Sequence, residues 1–272
     1  MNKSKMARGL VYFGASVTFG VLGFIVLFIL IKGVPHITPS LFAWNYTTEN
    51  VSLMPALITT LYVIGGSLLV ATPIGVFTAI YLVEYADRSK FVVKVISMAI
   101  DTLSAVPSIV YGLFGFLFFV TFLGFQFSLL AGIMTTTIMV LPLIIRSTEE
   151  ALISVDMSLR QASFALGAGK LRTIFNVVLP VAMPGILSGV ILAIGRIIGE
   201  SAALIYTLGS STNLPHSVFS SGRTLAVHMY ILSSEGFYVN EAYATAVILL
   251  ILVLALNGLS TLIGRKLAGG GK

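Results

Sequence analysis

Arg196 and Glu200 stand inside GRIIGES (195–201), in a stretch, 179–209, that carries no other charge. An ionised group in the middle of a bilayer costs at least about 2.5–3.5 kcal/mol on insertion scales, so it faces a bundle interior or a wet cavity. The i, i+4 spacing puts the two side chains on one helix face, where they can pair. Two readings are open: an internal ion pair that fixes helix packing, or a solute pathway. For a pathway, the planar guanidinium suits a tetrahedral oxyanion through paired N–H···O bonds and keeps its proton when poorly hydrated. Glu200 would offset that charge when the path is empty. It would also accept a hydrogen bond from a protonated oxygen, which suits phosphate better than sulfate.

Other chemistries lack their residues. There are no cysteines, hence no disulfide framework and no thiolate metal site. His36, His216 and His228 are scattered and read as ordinary loop histidines, so no metal is expected. Gly167-Ala168-Gly169-Lys170 lacks the spacing of a nucleotide-binding P-loop and the hydroxyl after lysine. The net charge of +6 comes with no nucleic-acid motif, and in a membrane protein it reflects basic cytoplasmic loops.

These residues need a membrane scaffold to position them. The chain has 272 residues, 57% hydrophobic and 10% charged, with a mean hydropathy of +1.02; soluble domains carry about 25% charged residues. The expectation is an all-α integral membrane protein with six spans, at 10–31, 55–83, 102–123, 127–146, 178–208 and 242–264. The first follows Lys3, Lys5 and Arg8. Its apolar run is longer than that of a signal peptide and no small-residue cleavage site follows, so it is expected to be retained. Of the 16 lysines and arginines, 13 fall on one set of connecting segments and two, Lys32 and Arg223, on the other; Arg196 is the remaining one. The larger set includes Arg88, Lys90, Lys94, Arg146, Arg160, Lys170, Arg172, Arg265, Lys266 and Lys272. This asymmetry places both termini in the cytoplasm of a multi-pass cell-membrane protein.

Leu123, Gly124, Phe125 and Gln126 join the third and fourth spans so briefly that they form an antiparallel hairpin. The outer segment 209–241 contains FSSGRTLAVHMYILSS, amphipathic enough to lie at the membrane interface. Ser67, Thr72, Thr135, Thr136 and Thr137 read as hydrogen-bonded helix packing, or alternatively as path lining. Asp101 reads as a charge at the cytoplasmic water boundary.

The cytoplasmic segment 146–176 predicts a short amphipathic helix over 159–166, capped by Ser158 and ended by Gly167. A second short helix runs through Lys170 to Ile174. Pro180 and Pro184 break or kink the entry to the next span. The first helix is too short to stand alone and docks either on its own chain or on a soluble partner.

This segment resembles the coupling signature of ABC importer permeases, E-A-A-x3-G-x9-I-x-L-P. Here its positions are Gln161, Ala162, Ser163, Gly167, Val177, Val178, Leu179 and Pro180. Gln161 replaces the usual acid and Ser163 the second alanine. The resemblance implies a type I ABC importer permease fold, with the two short helices seated in a groove of an ATP-hydrolysing subunit and Gly167 as the turn between them. ATP and Mg would be bound by that partner and no cofactor by this chain, which is not expected to be an enzyme.

A second resemblance is narrower. R-x-x-G-E-[ST]-A, here Arg196 to Ala202, and V-P-S-I-V-Y-G, here Val106, Pro107, Ser108, Ile109, Val110, Tyr111 and Gly112, are similar to the phosphate ABC transporter permeases of the PstA type. Ala203 stands where that family often has proline. The likeness implies a substrate pathway at Arg196, Glu200 and Ser201 and import of inorganic phosphate by alternating access. It also implies a heterodimer with a second, related permease, two ATP-binding subunits inside and a phosphate-binding protein outside. The expected units are 1–52 (first helix and outer loop), 53–264 (importer core, coupling segment about 156–176) and 265–272 (cytoplasmic tail). The alternatives are a permease for another oxyanion or small solute, and an ion-coupled secondary transporter. The absence of an inverted repeat in the helical pattern speaks against the latter.

Overall fold

The computed structural model describes residues 2–87 and 89–269. Arg88 and Lys272, counted above among the basic residues, lie outside them, as do the side chains of Lys3, Lys5, Arg265 and Lys266. Regular structure among the described residues is helical throughout: α1 Asn2–Gly33, α2 Met54–Ile80, α3 Phe91–Ser104, α4 Ser108–Gly115, α5 Leu129–Ile153, α6 Met157–Ala165, α7 Lys170–Thr173, α8 Leu179–Ile198, α9 Ala202–Thr207, α10 Leu225–Glu235 and α11 Val239–Gly269. In hydrocarbon a spanning segment must satisfy its own backbone, and runs of Leu, Ile, Val and Ala do so as helix.

Among the described residues five helices are long and apolar enough to cross a membrane: Arg8–His36, Met54–Tyr85, Leu129–Ile153, Lys170–Ile198 and Val239–Leu262. The expected third span is a sixth candidate, but a broken one. Its residues are divided between α3 and the run Ser108–Phe122, which are apolar enough together and meet at a bend of 103°. Pro107 caps α4 in an extended conformation and cannot donate the backbone hydrogen bond that would carry α3 onward. The Tyr111 hydroxyl donates to the Leu103 carbonyl at 2.7 Å and ties the two sides of the bend together. Fifteen residues remain beyond it, about 22 Å of helix against a hydrocarbon core of about 30 Å. The fourth span also differs, running to Ile153 rather than 146.

α5 is the central post, packed against both α2 and α8. Lipid offers no hydrophobic drive for helix association, so close packing and interhelical hydrogen bonds hold such bundles. A Cβ on Gly75 would stand 2.7 Å from Ile144 of α5, and one on Gly189 of α8 would stand 2.3 Å from the Ser147 Cβ. Glycine is what lets these backbones approach. Ser67 and Thr136, both buried, share a hydroxyl hydrogen bond of 2.6 Å between α2 and α5. Thr135 donates to its own helix at the Ala131 carbonyl and Thr137 is buried beside them, so this cluster packs helices together. α1 lies at the edge against α11 and leaves most of its side chains exposed.

Two expectations about loops change. The outer stretch forms α10, but Leu225, Ala226, Val227, His228 and Leu232 are buried, so it is packed into the bundle against α2, α9 and α11. The Leu225 amide even donates to Thr60 of α2 at 2.9 Å. His228 therefore sits in a buried helix and not in a loop. Pro180 and Pro184 do not interrupt the chain's entry to the membrane: Lys170–Ile198 is one helical run. A π-helical turn, Ile174–Val178, precedes Pro180, and such a turn shifts the backbone pairing where a proline cannot donate.

Candidate translocation site and docking segment

The fifth span contains the main departure from expectation. α8 ends at Ile198 and α9 begins at Ala202. Arg196 lies in the last turn of α8 and Glu200 in the break after it, so they do not share one helix face, and no ion pair joins them among the described residues. Glu200 is buried and accepts from the Ala203 amide at 2.9 Å. A carboxylate at a helix start satisfies an otherwise orphan amide and meets the positive end of the dipole. It acts as a cap for α9, the role its i, i+4 spacing concealed.

Arg196 is half-buried and has no hydrogen bond or ion pair with another described residue. Gly189, level with Ser147 of α5, is seven residues earlier, so Arg196 lies roughly 10 Å farther along the bundle, near mid-length of α5. The two sequence motifs meet. A Cβ on Gly112 would be 2.8 Å from the Ala203 Cα, so VPSIVYG and GESAA pack backbone to backbone. Ser108 starts α4 beyond the bend. Ser201 faces elsewhere: with Gly199 it lines a cavity of about 380 Å³ shared with Ile29, Met229, Tyr230 and Tyr243, to which Arg196 does not contribute.

The candidate docking segment is built by capping. Asp156, rather than Ser158, is the N-cap of α6; its carboxylate accepts from the Ser158 amide at 2.8 Å, and that bond holds its pKa below the usual carboxylate value. At the other end the Gly167 amide donates to the Phe164 carbonyl and the Ala168 amide to the Ser163 carbonyl, with Gly167 at φ +81°. This pairing is a Schellman C-cap, which needs a left-handed residue. Gln161 and Ala162 are exposed, as are Met157, Leu159, Phe164, Leu171 and, most of all, Leu166 at 89%. Ser163 points inward, its hydroxyl paired with that of Thr173 at 2.9 Å, and so joins α6 to α7. Pro180 lies beyond α7, in the first turn of α8.

The chain matches the family of binding-protein-dependent transport system inner membrane components over residues 71–269. It belongs to that family. A probable ABC transporter permease protein, YqgI of Bacillus subtilis, is 33% identical across 97% of both chains. The phosphate transport system permease protein PstA of Haemophilus influenzae is 32% identical over 93% of this chain and 91% of its own. Among solved structures, a bacterial alginate ABC transporter in complex with an alginate pentasaccharide-bound periplasmic protein superposes with a TM-score of 0.68, 14% identity and 97% coverage of both chains. The fold is that of a type I ABC importer permease. As a permease of this family the chain is a multi-pass transport subunit, and ATP hydrolysis belongs to a separate subunit.

Two charged clusters of this permease were not foreseen. Arg146 bonds Asp101 and Glu149, each at 2.6 Å, and donates to the carbonyl and hydroxyl of Ser97 at 2.8 Å. Asp101 is thus a partner that fastens α3 to α5. Arg160 of α6 bonds Glu84 at 3.0 Å. Arg146–Glu149 is a local i, i+3 pair, but Asp101 and Glu84 lie 45 and 76 residues from their arginines, and no local spacing announces those contacts. On the opposite end, buried Arg223 lies over the Tyr46 ring at 4.8 Å.

Proposed function

We propose that this chain is the membrane-spanning subunit of an ATP-driven importer of inorganic phosphate. In this reading Arg196 contacts the anion, the segment α6–α7 docks on an ATP-binding subunit in the cytoplasm, and both termini are cytoplasmic. A second, related permease completes the pathway, two ATP-binding subunits supply the energy with ATP and Mg, and a phosphate-binding protein delivers substrate outside. The observation that carries the proposal is the guanidinium of Arg196, near mid-length of α5 and without a hydrogen bond or ion pair among the described residues. An arginine kept only for packing would need its partner beside it, since an uncompensated charge in this position is costly. Here Glu200, four residues on, makes no ion pair with it and instead caps α9. The phosphate permeases at over 30% identity support the choice of anion, and the lysine and arginine distribution supports the orientation.

The test is ATP-dependent uptake of labelled phosphate into vesicles that contain the chain with its copurifying subunits, with sulfate as competitor. The expected result is phosphate uptake that a large excess of sulfate does not suppress. Uptake driven equally well by both anions overturns the assignment of phosphate. Uptake without an ATP-binding subunit overturns the transporter class.

A further inference from the structure

The docking segment is covalently continuous with two spans. α5 leads into α6 through a short turn, and α7 leads into α8 within one helical run. α2 has no such connection, for the π-helical turn that continues it, Tyr81–Tyr85, is about 70 residues upstream of α6. It shares an apolar core with Val155 and Ile174, and a buried clamp joins it to α6. Arg160 is 7% exposed; its Nε and Nη2 donate to Glu84 Oε1 at 3.3 and 3.0 Å. The same guanidinium donates to the Val155 carbonyl at 2.6 Å and the Leu152 carbonyl at 2.8 Å, at the end of α5. One planar fork therefore grips α2 and α5 from within α6, a geometry that lysine cannot reproduce. Lys170 of α7 adds a second hold: its ammonium donates to the Glu84 carbonyl and lies over the Tyr85 ring at 4.5 Å. The Ser163–Thr173 hydroxyl pair makes α6 and α7 one unit beneath these contacts. Glu84 and Arg160 also line the cleft beside the exposed Phe164.

We propose that Glu84 and Arg160 are positioning residues for transport: their ion pair, with Lys170, makes the end of α2 move with the docking segment. A displacement imposed on α6–α7 then reaches three spans directly, and without the pair it reaches α2 only through its packing on α5 and α8. The inference rests on the docking role proposed for α6 and is tested apart from it.

The measurement is phosphate taken up per ATP hydrolysed by the assembled transporter in vesicles. Glu84→Gln and Arg160→Gln are expected to keep the ATP-binding subunit bound but to lower this ratio at least about tenfold, within the range usual for coupling between sites. The chain has no cysteine, so a Glu84→Cys/Arg160→Cys variant offers a clean rescue. Bridging the two thiols with a short bis-methanethiosulfonate should restore the ratio, and reduction should abolish it again. An unchanged ratio in both single variants, or a bridged variant as uncoupled as the unbridged one, overturns the proposal. Should the buried substitutions prevent assembly, Lys170→Ala at an exposed position is expected to lower the ratio about threefold, the scale of one exposed cation–π contact; no change there overturns the proposal as well. Leu166→Asp scores docking separately. Loss of the ATP-binding subunit supports the docking role, whereas its retention overturns docking.

Discussion

Gly112 and Ala203 touch backbone to backbone: a Cβ added to Gly112 would stand 2.8 Å from the Ala203 Cα and 3.3 Å from the Ala202 carbonyl oxygen. The relationship joins the start of α4, just past the 103° bend, to α9, just past the break at Glu200. α9 is only six residues long, and both it and α4 pack on α5 as well as on each other.

Gly112→Val should therefore separate α4 from α9. Overpacking of this kind costs about 1–3 kcal/mol. The expected outcome is a lower unfolding midpoint in detergent together with lost uptake. Gly65→Ala in α2, where added bulk meets nothing within 4 Å, should leave both unchanged.

Arg196 and Glu200 should separate under mutation because they do different things. Arg196→Ala is expected to abolish phosphate uptake with the complex still assembled, and Arg196→Lys to retain part of it, since charge remains without the planar fork. Glu200→Gln keeps an oxygen for the Ala203 amide and should assemble at normal yield. Glu200→Ala removes that acceptor and should lose about 1 kcal/mol, the usual worth of a helix cap. Uptake assays and thermal unfolding of the four variants check this.

At Gly167 the positive φ, and not a lack of space, is the constraint, because nothing lies within 4 Å of an added Cβ. Gly167→Val is expected to distort the turn between α6 and α7, at about 1–2 kcal/mol for a left-handed β-branched residue, and to separate ATP hydrolysis from transport. Gly167→Asn should be much milder, since asparagine tolerates this conformation. ATP turnover and uptake measured side by side distinguish the two.

His228 gives a pH prediction. It is fully buried, and burial first, then the nearby charge of Arg223, lower its pKa from 6.5 to about 3. Between those values the unfolded chain binds a proton that the folded chain refuses. The contribution to stability is thus complete above about pH 6.5 and is lost as pH falls toward 3. Thermal unfolding in detergent at stepped pH should show the decline. His228→Phe, which cannot titrate, should flatten this part of the profile.

Much of the architecture was legible in the chain. The spans at 55–83 and 242–264 appear at nearly those positions, because long uninterrupted apolar runs in a bilayer have few alternatives to helix. Gly167 was readable as a turn because a glycine after an amphipathic helix has one common use. Ser158 was misread as the cap because Asp156, two residues earlier, offers an equally good oxygen and local sequence does not rank them. The bend at Pro107 was less legible: proline is common in membrane helices and often does no more than kink them.

The sequence alone determined the membrane setting, the helical class, the family motifs and the presence of a costly arginine in the fifth span. These follow from composition and local spacing, which the bilayer converts directly into structure. Only the tertiary structure decided that Glu200 caps α9 instead of pairing with Arg196, that VPSIVYG packs on GESAA, and that Glu84 is held by Arg160. The physical reason is range. Charges find partners by distance in space, and a hydrogen-bonding group takes whichever partner folding brings within about 3 Å. For Glu200 that was the amide three residues ahead, and for Glu84 an arginine 76 residues away.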